Sequence, residues 1–599
     1  MKFVNLMPLL KNKGVTMENM ITIKIDNTEV SVPKGTTVLK AAKKANIKIP
    51  TLCYLEGISS AGSCRMCIVY AEKNGKPFRN FPISCKLKVE EGMVIKTNTK
   101  EVLEARRINL ELIFSNHDQK CLSCIRGGEC ELQTLANDLD VNSDRYIGEK
   151  LKFDKDIKSL SIVRDPEKCI LCGRCVAACS EIQQIGAIGV AGRGFETMVK
   201  PAFNKSLSET NCINCGQCIK ACPTGALHEK EDIDLVWEAL SDPSKHVIIQ
   251  TAPSVRVGIA EEFGMPVGTI ATGKMVAGLR RLGFDKIVDT NFGADLTIVE
   301  EAYEFVTRLK TKENFPMMTS CCPSWVHYVE KNYPEMIPNL STCKSPQGMV
   351  GAIVKTYYAQ KNNLDPKDIV SIGLMPCTAK KYEIKRAELN NDIDIVITTR
   401  EIARMFKQSG IDFTAIEEDE FDPILSEASG AGAIFGVTGG VMEAALRTVS
   451  EIITKEPLEE VNFNEVRGLD GIKEATLEIA GKEITVAVAN GLGNAKMLIE
   501  RIKKGEKEYH FIEVMACPGG CINGGGQPIV NSEKRLNINS NEKRSASIYE
   551  IDAKKIIRKA HENNSVFELY KNFIGAPNNE KAHELLHTNY APKEKYSDE

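Results

Sequence analysis

The sequence lacks a membrane-spanning run, a basic nucleic-acid-binding block and a signal peptide. No apolar run approaches the roughly 18 residues needed to span a bilayer, and no block of Lys and Arg offers the clustered charge that binds nucleic acid. The formal net charge is −3. The first segment, MKFVNLMPLLKNKGV, has only a short apolar patch and no small-residue cleavage site. We therefore expect no membrane span, no nucleic acid partner, no signal peptide and a cytoplasmic protein.

What the sequence contains is the composition of an ordinary globular protein, with 43% hydrophobic and 26% charged residues. Its length predicts about 3 to 5 domains. The 21 cysteines are grouped closely along the chain. Because disulfide scaffolds are usually short and secreted, such groups in a long chain without an export signal indicate metal ligands.

Two segments, CILCGRCVAACS (169–180) and CINCGQCIKACPTGAL (212–227), share a C-x2-C-x2-C-x3-C spacing. This spacing is typical of two-cluster ferredoxins, in which the fourth cysteine of each run ligates the other cluster. It assigns Cys169, Cys172, Cys175 and Cys222 to one 4Fe–4S cluster, and Cys212, Cys215, Cys218 and Cys179 to the other. The second run keeps the usual proline as Pro223, whereas the first has Ser180. Zinc is the competing interpretation, and the repeated spacing argues against it.

Four cysteines upstream, Cys53, Cys64, Cys67 and Cys85, match a plant-type 2Fe–2S site in part, since the first gap is longer than usual. The segments ITIKID and EVSV alternate like two strands, and TTVLKAAKKANI (36–47) has a helical pattern. Two strands, a helix and a cysteine loop indicate a ubiquitin-like 2Fe–2S ferredoxin fold. A zinc module is the alternative.

The segment HDQKCLSCIRGGEC (117–130) contains His117, Cys121, Cys124 and Cys130. One imidazole and three thiols would also suit a zinc site, so the residue types alone do not decide between the metals. The position between other iron–sulfur motifs favours a 4Fe–4S cluster with one histidine ligand. Four centres in series suggest a route for electrons to or from the C-terminal half.

From about residue 231 the sequence has an α/β pattern. Apolar stretches at 246–255, 286–293, 368–377, 392–399 and 484–493 are typical of buried strands, and they alternate with amphipathic helical segments such as 273–282 and 295–310. This alternation predicts mainly parallel sheets, with cysteines at the ends of strands where ligands bind in such folds.

Four further cysteines lie in TSCCPSW, MPCTAKK and EVMACPGGCINGGGQP, namely Cys322, Cys377, Cys517 and Cys521. Only a folded domain could gather three such distant segments around one centre. The glycines of the last segment would let the backbone approach a bulky group. The alternative is that each cysteine is a small buried apolar residue.

The motifs TSCCP, MPCTAKK and MACPGGC, in that order, resemble the signature of the FeFe-hydrogenases, and the N-terminal array is similar to the long monomeric clostridial type. The resemblance covers about residues 20–588. It implies an H-cluster, which is a 4Fe–4S cube bridged by a cysteine sulfur to a two-iron subsite with CO, cyanide and azadithiolate. Cys322, Cys377, Cys517 and Cys521 would hold the cube, with Cys521 as the bridge. The implied reaction is 2H⁺ + 2e⁻ ⇌ H₂, with ferredoxin as electron partner and maturation proteins that supply the two-iron subsite.

Cys321 stands directly beside Cys322, and neighbouring side chains usually point in different directions. A thiol can both give and take a proton, so we assign Cys321 as the last proton relay; the alternative is that it merely packs. Glu301, Glu304 and Arg308 share one helix face, which by itself would indicate only a solvated surface. The resemblance implies a path from solvent through Arg308/Glu304, Ser341, Glu301 and Cys321 to the azadithiolate nitrogen.

The resemblance also implies contacts to the diatomic ligands from Lys380, Ser254, Gln347, Met375 and Met515. A buried cation suits a cyanide anion, and methionine supplies adaptable packing. Pro518 departs from the more polar residue of several relatives. Cys343 has no assigned role; a buried small residue and a redox-sensitive site are the two alternatives.

We therefore predict an α/β catalytic domain with mainly parallel sheets, preceded by small α+β iron–sulfur domains that hold one 2Fe–2S and three accessory 4Fe–4S clusters. The predicted boundaries are an N-terminal extension (1–19), a 2Fe–2S domain (20–99), a 4Fe–4S domain with one histidine and three cysteine ligands (100–145), a two-cluster ferredoxin-like domain (146–230), the catalytic domain (231–575) and a C-terminal tail (576–599).

Three rival functions remain open from the sequence. An iron–sulfur subunit of an NADH-oxidising complex would lack the three C-terminal motifs, and a non-catalytic iron–sulfur assembly relative would lack Cys321, Glu301 and Glu304. A hydrogen sensor or a subunit of an electron-bifurcating complex is the third, although the sequence shows no sensor domain and no flavin or nicotinamide fingerprint.

Overall fold

The computed structural model describes residues 19–142, 144–425 and 427–596, so the predicted extension (1–19) lies almost wholly outside the described residues. The first domain is a five-stranded sheet with the order β2-β1-β7-β5-β6, covered by α1. Thr37 caps this helix by accepting a hydrogen bond from the Lys40 backbone N–H. Its elements are β1 Met20–Ile25, β2 Thr28–Pro33, α1 Val38–Lys44, β3 Tyr54–Leu55, β4 Ser59–Ser60, β5 Tyr70–Lys73, β6 Lys76–Pro77 and β7 Met93–Lys96.

Two helices follow, and then a small domain with an internal repeat in which each half has a cysteine loop, a short helix and a strand. The two helices are α2 Lys100–Ser115 and α3 Glu131–Asp138. The elements of the small domain are β8 Ile162–Arg164, α4 Arg174–Ala177, β9 Gly189–Ala191, β10 Met198–Lys200, α5 Gln217–Ala221 and β11 Leu227–Glu229. Strands β8 and β11, from opposite halves, pair antiparallel. Gly173 and Gly216 begin α4 and α5 with φ of +77° and +67°, a conformation that favours glycine.

The C-terminal part contains two four-stranded sheets. In the first, all three strand pairs are parallel in the order β13-β12-β15-β16; in the second, with the order β14-β19-β18-β17, only β17 is antiparallel. Their strands are β12 His246–Thr251, β13 Lys286–Asp289, β14 Met317–Met318, β15 Ile369–Met375, β16 Ile395–Thr398, β17 Ile472–Ile479, β18 Lys482–Asn490 and β19 Phe511–Met515. The predicted fold class, α/β with mainly parallel sheets behind iron–sulfur domains, is confirmed.

The described residues of this part also contain fifteen helices. They are α6 Ile233–Ser241, α7 Thr272–Leu282, α8 Thr290–Thr311, α9 Pro323–Asn332, α10 Pro346–Ile353, α11 Ala359–Asn362, α12 Ala379–Glu383, α13 Thr399–Gln408, α14 Gly430–Ile434, α15 Gly440–Thr454, α16 Leu492–Lys503, α17 Ser532–Asn537, α18 Ser540–Lys554, α19 Asn564–Leu569 and α20 Glu580–Leu586. No helix among the described residues is long and apolar enough to span a membrane.

Helix α8 is unusual because it is buried along most of its length and yet carries carboxylates. Its N-cap Asp289 accepts from the Asn291 backbone N–H and also pairs with Arg256 at 2.7 Å. Glu300, Glu301 and Glu304 are buried together on this helix, at 0%, 1% and 9% exposure. A buried carboxylate is costly unless it is paired or protonated. The partners of these three glutamates therefore determine whether each is charged or protonated.

The segment predicted as a C-terminal tail is packed into the domain over residues 576–596. Ala582 and Leu586 of α20 are fully buried in a core that also contains residues of α8 and α10. Backbone hydrogen bonds join Lys344 N to Leu586 O (2.7 Å) and Thr588 N to Thr342 O (2.8 Å). The tail interpretation therefore does not describe this segment, because its apolar residues at helical spacing are buried against α8 and α10.

Candidate active site

The four cysteines predicted to hold the cube follow three strands of the C-terminal part. Cys322 lies after β14 and caps α9, Cys377 follows β15, and Cys517 and Cys521 follow β19. Burial and then the neighbouring thiols Cys377, Cys322 and Cys521 raise the pKa of Cys517 well above its usual value. Four thiolates so close together need a positively charged metal centre, because their mutual repulsion would otherwise keep them protonated.

Glycines let the backbone around these loops pack closely against its neighbours. Gly520 has φ +96°, and a Cβ there would lie 2.6 Å from the Thr438 backbone nitrogen and 2.9 Å from Met515 Sδ. A Cβ on Gly436 would lie 2.5 Å from Ser254 Oγ. The backbone therefore forms the wall of the site directly, as the glycine-rich segment predicted.

The residues predicted to contact the diatomic ligands are all buried around this region. Lys380 donates to Glu383 at 2.8 and 2.9 Å and to the Cys321 carbonyl at 3.3 Å. Burial alone would lower the pKa of Lys380, but the Glu383 carboxylate raises it, so the side chain remains a buried cation. Gln347 Nε2 also donates to Glu383 (3.2 Å), while its Oε1 has no partner.

The remaining predicted contacts are apolar or weakly polar. Ser254 Oγ donates to the Gly436 carbonyl at 3.3 Å. Met375 ends β15 and Met515 ends β19, and both are almost fully buried. Four thiols, one buried cation, an unpartnered amide oxygen and two thioethers form a donor set that fits an iron–sulfur centre with anionic diatomic ligands.

The predicted proton path forms a connected line of side chains on α8 and the loop before α10. Arg308 Nη2 donates to Glu304 Oε1 at 2.6 Å, and Ser341 Oγ donates to Glu304 Oε2 at 3.0 Å. Neither oxygen of Glu301 has a partner within ordinary hydrogen-bond geometry, although the Ser341 hydroxyl lies close enough to favour its charged form.

Burial and the Glu304 charge raise the pKa of Glu301 to about 8. At neutral pH this carboxyl is therefore mostly protonated, which is the state from which it could give a proton. Burial and then the Glu301 charge also raise the pKa of the Cys321 thiol, so the two groups are close enough to affect each other. Glu301 thus lies near both Ser341 and Cys321, without a direct hydrogen bond to either.

The eight cysteines of the ferredoxin-like domain group in the crossed pattern that their spacing predicts. Burial and then the charges of Cys172, Cys222 and Cys169 raise the pKa of Cys175. Burial and then the charges of Cys212 and Cys179 raise the pKa of Cys218, and the charge of Cys179 also contributes to the raised pKa of Cys215. Each fourth cysteine therefore lies beside the first three of the other run.

The thiols of the first domain also converge. The Cys53 backbone N–H donates to Cys64 Sγ at 3.4 Å. A hydrogen bond from Cys64 lowers the pKa of Cys53 to about 5, and one from Cys85 lowers the pKa of Cys67 to about 7. Thiols that share protons in pairs are close enough to hold one small cluster.

The segment with one histidine and three cysteines (117–130) packs between these two domains. His117 is buried, its Nδ1 has no hydrogen-bond partner, and burial lowers its pKa to about 4. A neutral imidazole is the form that binds a metal. Cys124 adds to the pKa rise of Cys130, and a Cβ on Gly225 would lie only 2.7 Å from Cys124 Sγ.

The ferredoxin-like domain contacts the loops of the four C-terminal thiols directly. Thr378 Oγ1 donates to the Asn214 carbonyl at 2.8 Å, and Gln217 Nε2 donates to the Asn523 carbonyl at 2.9 Å. A Cβ on Gly525 would lie 2.6 Å from the Cys215 carbonyl oxygen. The loops of these two predicted centres are therefore in direct contact.

Several polar residues near the path were not predicted from the sequence. The Thr342 backbone N–H donates to Glu304, His587 contacts Thr342 Oγ1 and Glu300, and Glu383 pairs with Lys380. The one sequence signal was the spacing of His583 and His587, four residues apart in HELLH, which places both on one face of a helix.

Five family models match the chain in succession. They are the 2Fe-2S iron-sulfur cluster binding domain (18–100), the NADH-ubiquinone oxidoreductase-G iron-sulfur binding region (106–145), the 4Fe-4S dicluster domain (162–226), the iron only hydrogenase large subunit, C-terminal domain (245–525) and the iron hydrogenase small subunit (539–593).

Curated relatives and solved structures agree with these matches. The chain is 49% identical to the NADP-reducing hydrogenase subunit HndD of Solidesulfovibrio fructosivorans, over 96% of this chain and 100% of the relative. It is 43% identical to iron hydrogenase 1 of Clostridium pasteurianum, over 95% of this chain and 100% of the relative. Apo FeFe-hydrogenase HydA1 from Chlamydomonas reinhardtii matches with a TM-score of 0.53 and 44% identity, over 60% of this chain and 99% of that chain. Cytosolic iron-sulfur assembly component 3 of Mus musculus is 31% identical, over 61% of this chain and 78% of the relative.

Proposed function

Because the chain belongs to the family of iron-only (FeFe) hydrogenases, we propose that its own residues serve the reaction 2H⁺ + 2e⁻ ⇌ H₂ by supplying electrons on one side of the site and protons on the other. Its N-terminal iron–sulfur domains serve electron transfer. The N-terminal cluster array and the path through Cys321, Glu301 and Glu304 favour this function over the non-catalytic assembly relative.

The observation that carries the proposal is the convergence of Cys322, Cys377, Cys517 and Cys521 beside Cys321. These four thiols would hold the cube of the H-cluster, and Cys521 would bridge to the two-iron subsite. When bound, this group supplies the iron at which protons and electrons combine. Lys380 would balance the charge of bound cyanide, while Ser254, Gln347, Met375 and Met515 would fix the position of the diatomic ligands.

Proton delivery is the task of the residues along α8. Ser341 connects Glu304 to Glu301, and Glu301 is close to Cys321, so a proton can move between groups that each give and take one. Arg308 holds Glu304 in place through its 2.6 Å ion pair. The apolar surroundings keep bulk water away from the thiol, which lets protons arrive singly.

Electron delivery is the task of four N-terminal centres. We propose one 2Fe–2S cluster on Cys53, Cys64, Cys67 and Cys85, and one 4Fe–4S cluster on His117, Cys121, Cys124 and Cys130. Two more would be held by Cys169, Cys172, Cys175 and Cys222, and by Cys212, Cys215, Cys218 and Cys179. The contacts of Thr378 and Gln217 support the last of these as the donor to the active site.

Reduced ferredoxin is the electron partner that we propose, in the cytoplasm, with maturation proteins to install the two-iron subsite. The identity to HndD favours a second candidate, since that relative is a subunit of an NADP-reducing hydrogenase. Purified chain that evolves H₂ with reduced ferredoxin alone would support the first. A requirement for further subunits together with NADPH would support the second.

Infrared spectroscopy of maturated protein tests the active-site proposal. We expect bands from terminal CO and cyanide, together with H₂ evolution from a chemically reduced mediator. Fully assembled protein with only conventional iron–sulfur signals and no such bands would contradict it.

A further inference from the structure

Arg308 closes the side of Glu304 that was predicted to receive protons from solvent. Its Nη1 donates to the carbonyls of Asn314, Pro338 and Asn339 at 3.1, 3.3 and 3.4 Å. Its Nη2 donates to Glu304 and to the Leu340 carbonyl, at 2.6 and 2.8 Å. A guanidinium does not lose its proton in proteins, so this residue anchors Glu304 and does not relay.

A second polar neighbour of Glu304 is the imidazole of His587. His587 is 7% exposed, and one of its ring nitrogens lies within 4.8 Å of both a Glu304 oxygen and Cys343 Sγ. Its Nδ1 is 2.7 Å from Thr342 Oγ1, and its Nε2 is 3.2 Å from Glu300 Oε2. A separation of this size is closed by one bridging water.

The surrounding structure holds this imidazole in position. An antiparallel bridge joins His587 to Cys343, with the flanking backbone bonds of Lys344 and Thr588 on either side. Glu300 in turn accepts from the Tyr570 hydroxyl and from the Asn578 backbone N–H. The ring is therefore fixed between a carboxylate and a hydroxyl, as a relay residue must be.

His583 connects this buried ring to solvent. It lies one turn earlier on α20, it is exposed, and its ring centroid is 4.2 Å from that of His587. Burial and the neighbouring His587 lower the pKa of His583, whereas Glu300 and Glu304 act in the opposite direction. A proton on either ring therefore favours the other being neutral, which promotes transfer between them.

We propose that protons reach Glu304 through His583 and His587 and not through Arg308. A proton from bulk water binds the imidazole, the imidazolium gives it to the Glu304 carboxylate, and the chain continues through Ser341. The charged and titratable groups that face His587 are Glu300 and Glu304 of α8, Cys343 of the bridge and His583 of α20. This inference rests on the proposed function, since it supplies the outer end of the same path.

The test compares two histidines with the same kind of contacts in the maturated holoenzyme. His561 lies 3.0 Å from Thr448 Oγ1 and 2.7 Å from Glu451 Oε2, away from Glu304, so His561→Gln is the matched control. For His587→Gln we expect mediator-driven H₂ evolution to fall about tenfold at about pH 8, and less at about pH 6, where protons are more abundant. Added imidazole should restore much of the rate in His587→Gln and leave His561→Gln unchanged.

His583→Ala provides a second measurement that does not depend on the fold, because this side chain is exposed. We expect a smaller loss with the same pH dependence and the same rescue. If the pH–rate profiles of both variants match that of His561→Gln, the histidine entrance is wrong. Loss of turnover in Cys321→Ala together with that result would leave the inner path standing, so the two failures are distinguishable.

Discussion

A substitution at Cys321 can test proton delivery without removing a predicted ligand of the cofactor. Cys321 is not one of the four thiols predicted to hold the cube, and the charges of Glu301 and Cys322 both act on it. In Cys321→Ala we expect H₂ evolution to fall by about a hundredfold or more, because alanine cannot carry a proton. Infrared bands of the matured cofactor should remain at full intensity. An alanine variant that keeps most of its rate at full cofactor loading would remove Cys321 from the path.

Glu301 offers a prediction in which activity and stability change in opposite directions. Its folded pKa of about 8 lies above the ordinary value of 4.5. The folded state therefore binds the extra proton, and the free energy of unfolding decreases as pH rises from about 4.5 to about 8. Glu301→Gln removes this penalty, so we expect its gain in melting temperature over wild type to be larger at about pH 8 than at about pH 6. Its H₂ evolution should fall because the amide cannot relay a proton.

Glu304→Gln is the contrast to this variant. Removal of the Glu304 charge leaves Arg308 buried without its ion pair, so the melting temperature should decrease. Equal melting temperatures of Glu301→Gln and wild type across that pH range would contradict the raised pKa.

The cysteine groups could be predicted from the sequence, whereas polar neighbours such as His587, Glu300 and Glu383 could not. Cysteine spacing within a loop is a local property, so the groups around Cys169 and Cys212 could be predicted without a fold. His587 and Glu300 are separated by 287 residues in the chain. Only the packing of α20 on α8 brings them together, and no local pattern encodes that contact.

At the scale of elements, apolar runs predicted the parallel strands well. The stretches at 246–255 and 368–377 contain β12 and β15, which pair in parallel. The hairpin of β17 and β18 was only half predicted, because the exposed residues of β17 alternate with buried ones and form no apolar run. Segment 576–599 is predicted as a tail, but α20 within it buries Ala582 and Leu586.

Gly173 and Gly216 make a matched pair at the starts of α4 and α5. Both have positive φ, so a change to alanine costs about 1–2 kcal/mol in either place. A Cβ on Gly173 meets open space, whereas one on Gly216 would lie 2.5 Å from Thr378 Oγ1 and 2.8 Å from Gly525 Cα. Gly216→Ala should therefore push the ferredoxin-like domain away from the cysteine loops of the catalytic domain.

We expect Gly216→Ala to lower the rate of ferredoxin-driven H₂ evolution clearly more than Gly173→Ala does. Its unfolding midpoint should also be lower, since the domain contact is disturbed in addition to the backbone strain. The measurement is the steady-state rate of both variants at equal iron content. Equal rates in the two would show that this contact does not limit electron transfer.

At the scale of the whole molecule, the proposed routes of electrons and protons run through different parts of the chain. The iron–sulfur domains contact the loops after β15 and β19, whereas the carboxylates lie along α8 and the histidines on α20. The proposed electron and proton routes therefore reach the active site through different elements. A change in one route should leave the other intact.

Cys169→Ser tests this separation, because it weakens a predicted cluster far from α8. We expect it to slow H₂ evolution with external ferredoxin strongly, since one step of the electron route is lost. Hydrogen/deuterium exchange at the active site needs protons but no net electron transfer from outside, so it should stay close to the wild-type rate. In Glu301→Gln, by contrast, hydrogen/deuterium exchange should be slowed as much as H₂ evolution. Comparable losses of both activities in Cys169→Ser would mean that the N-terminal domains support the catalytic fold and do not carry its electrons.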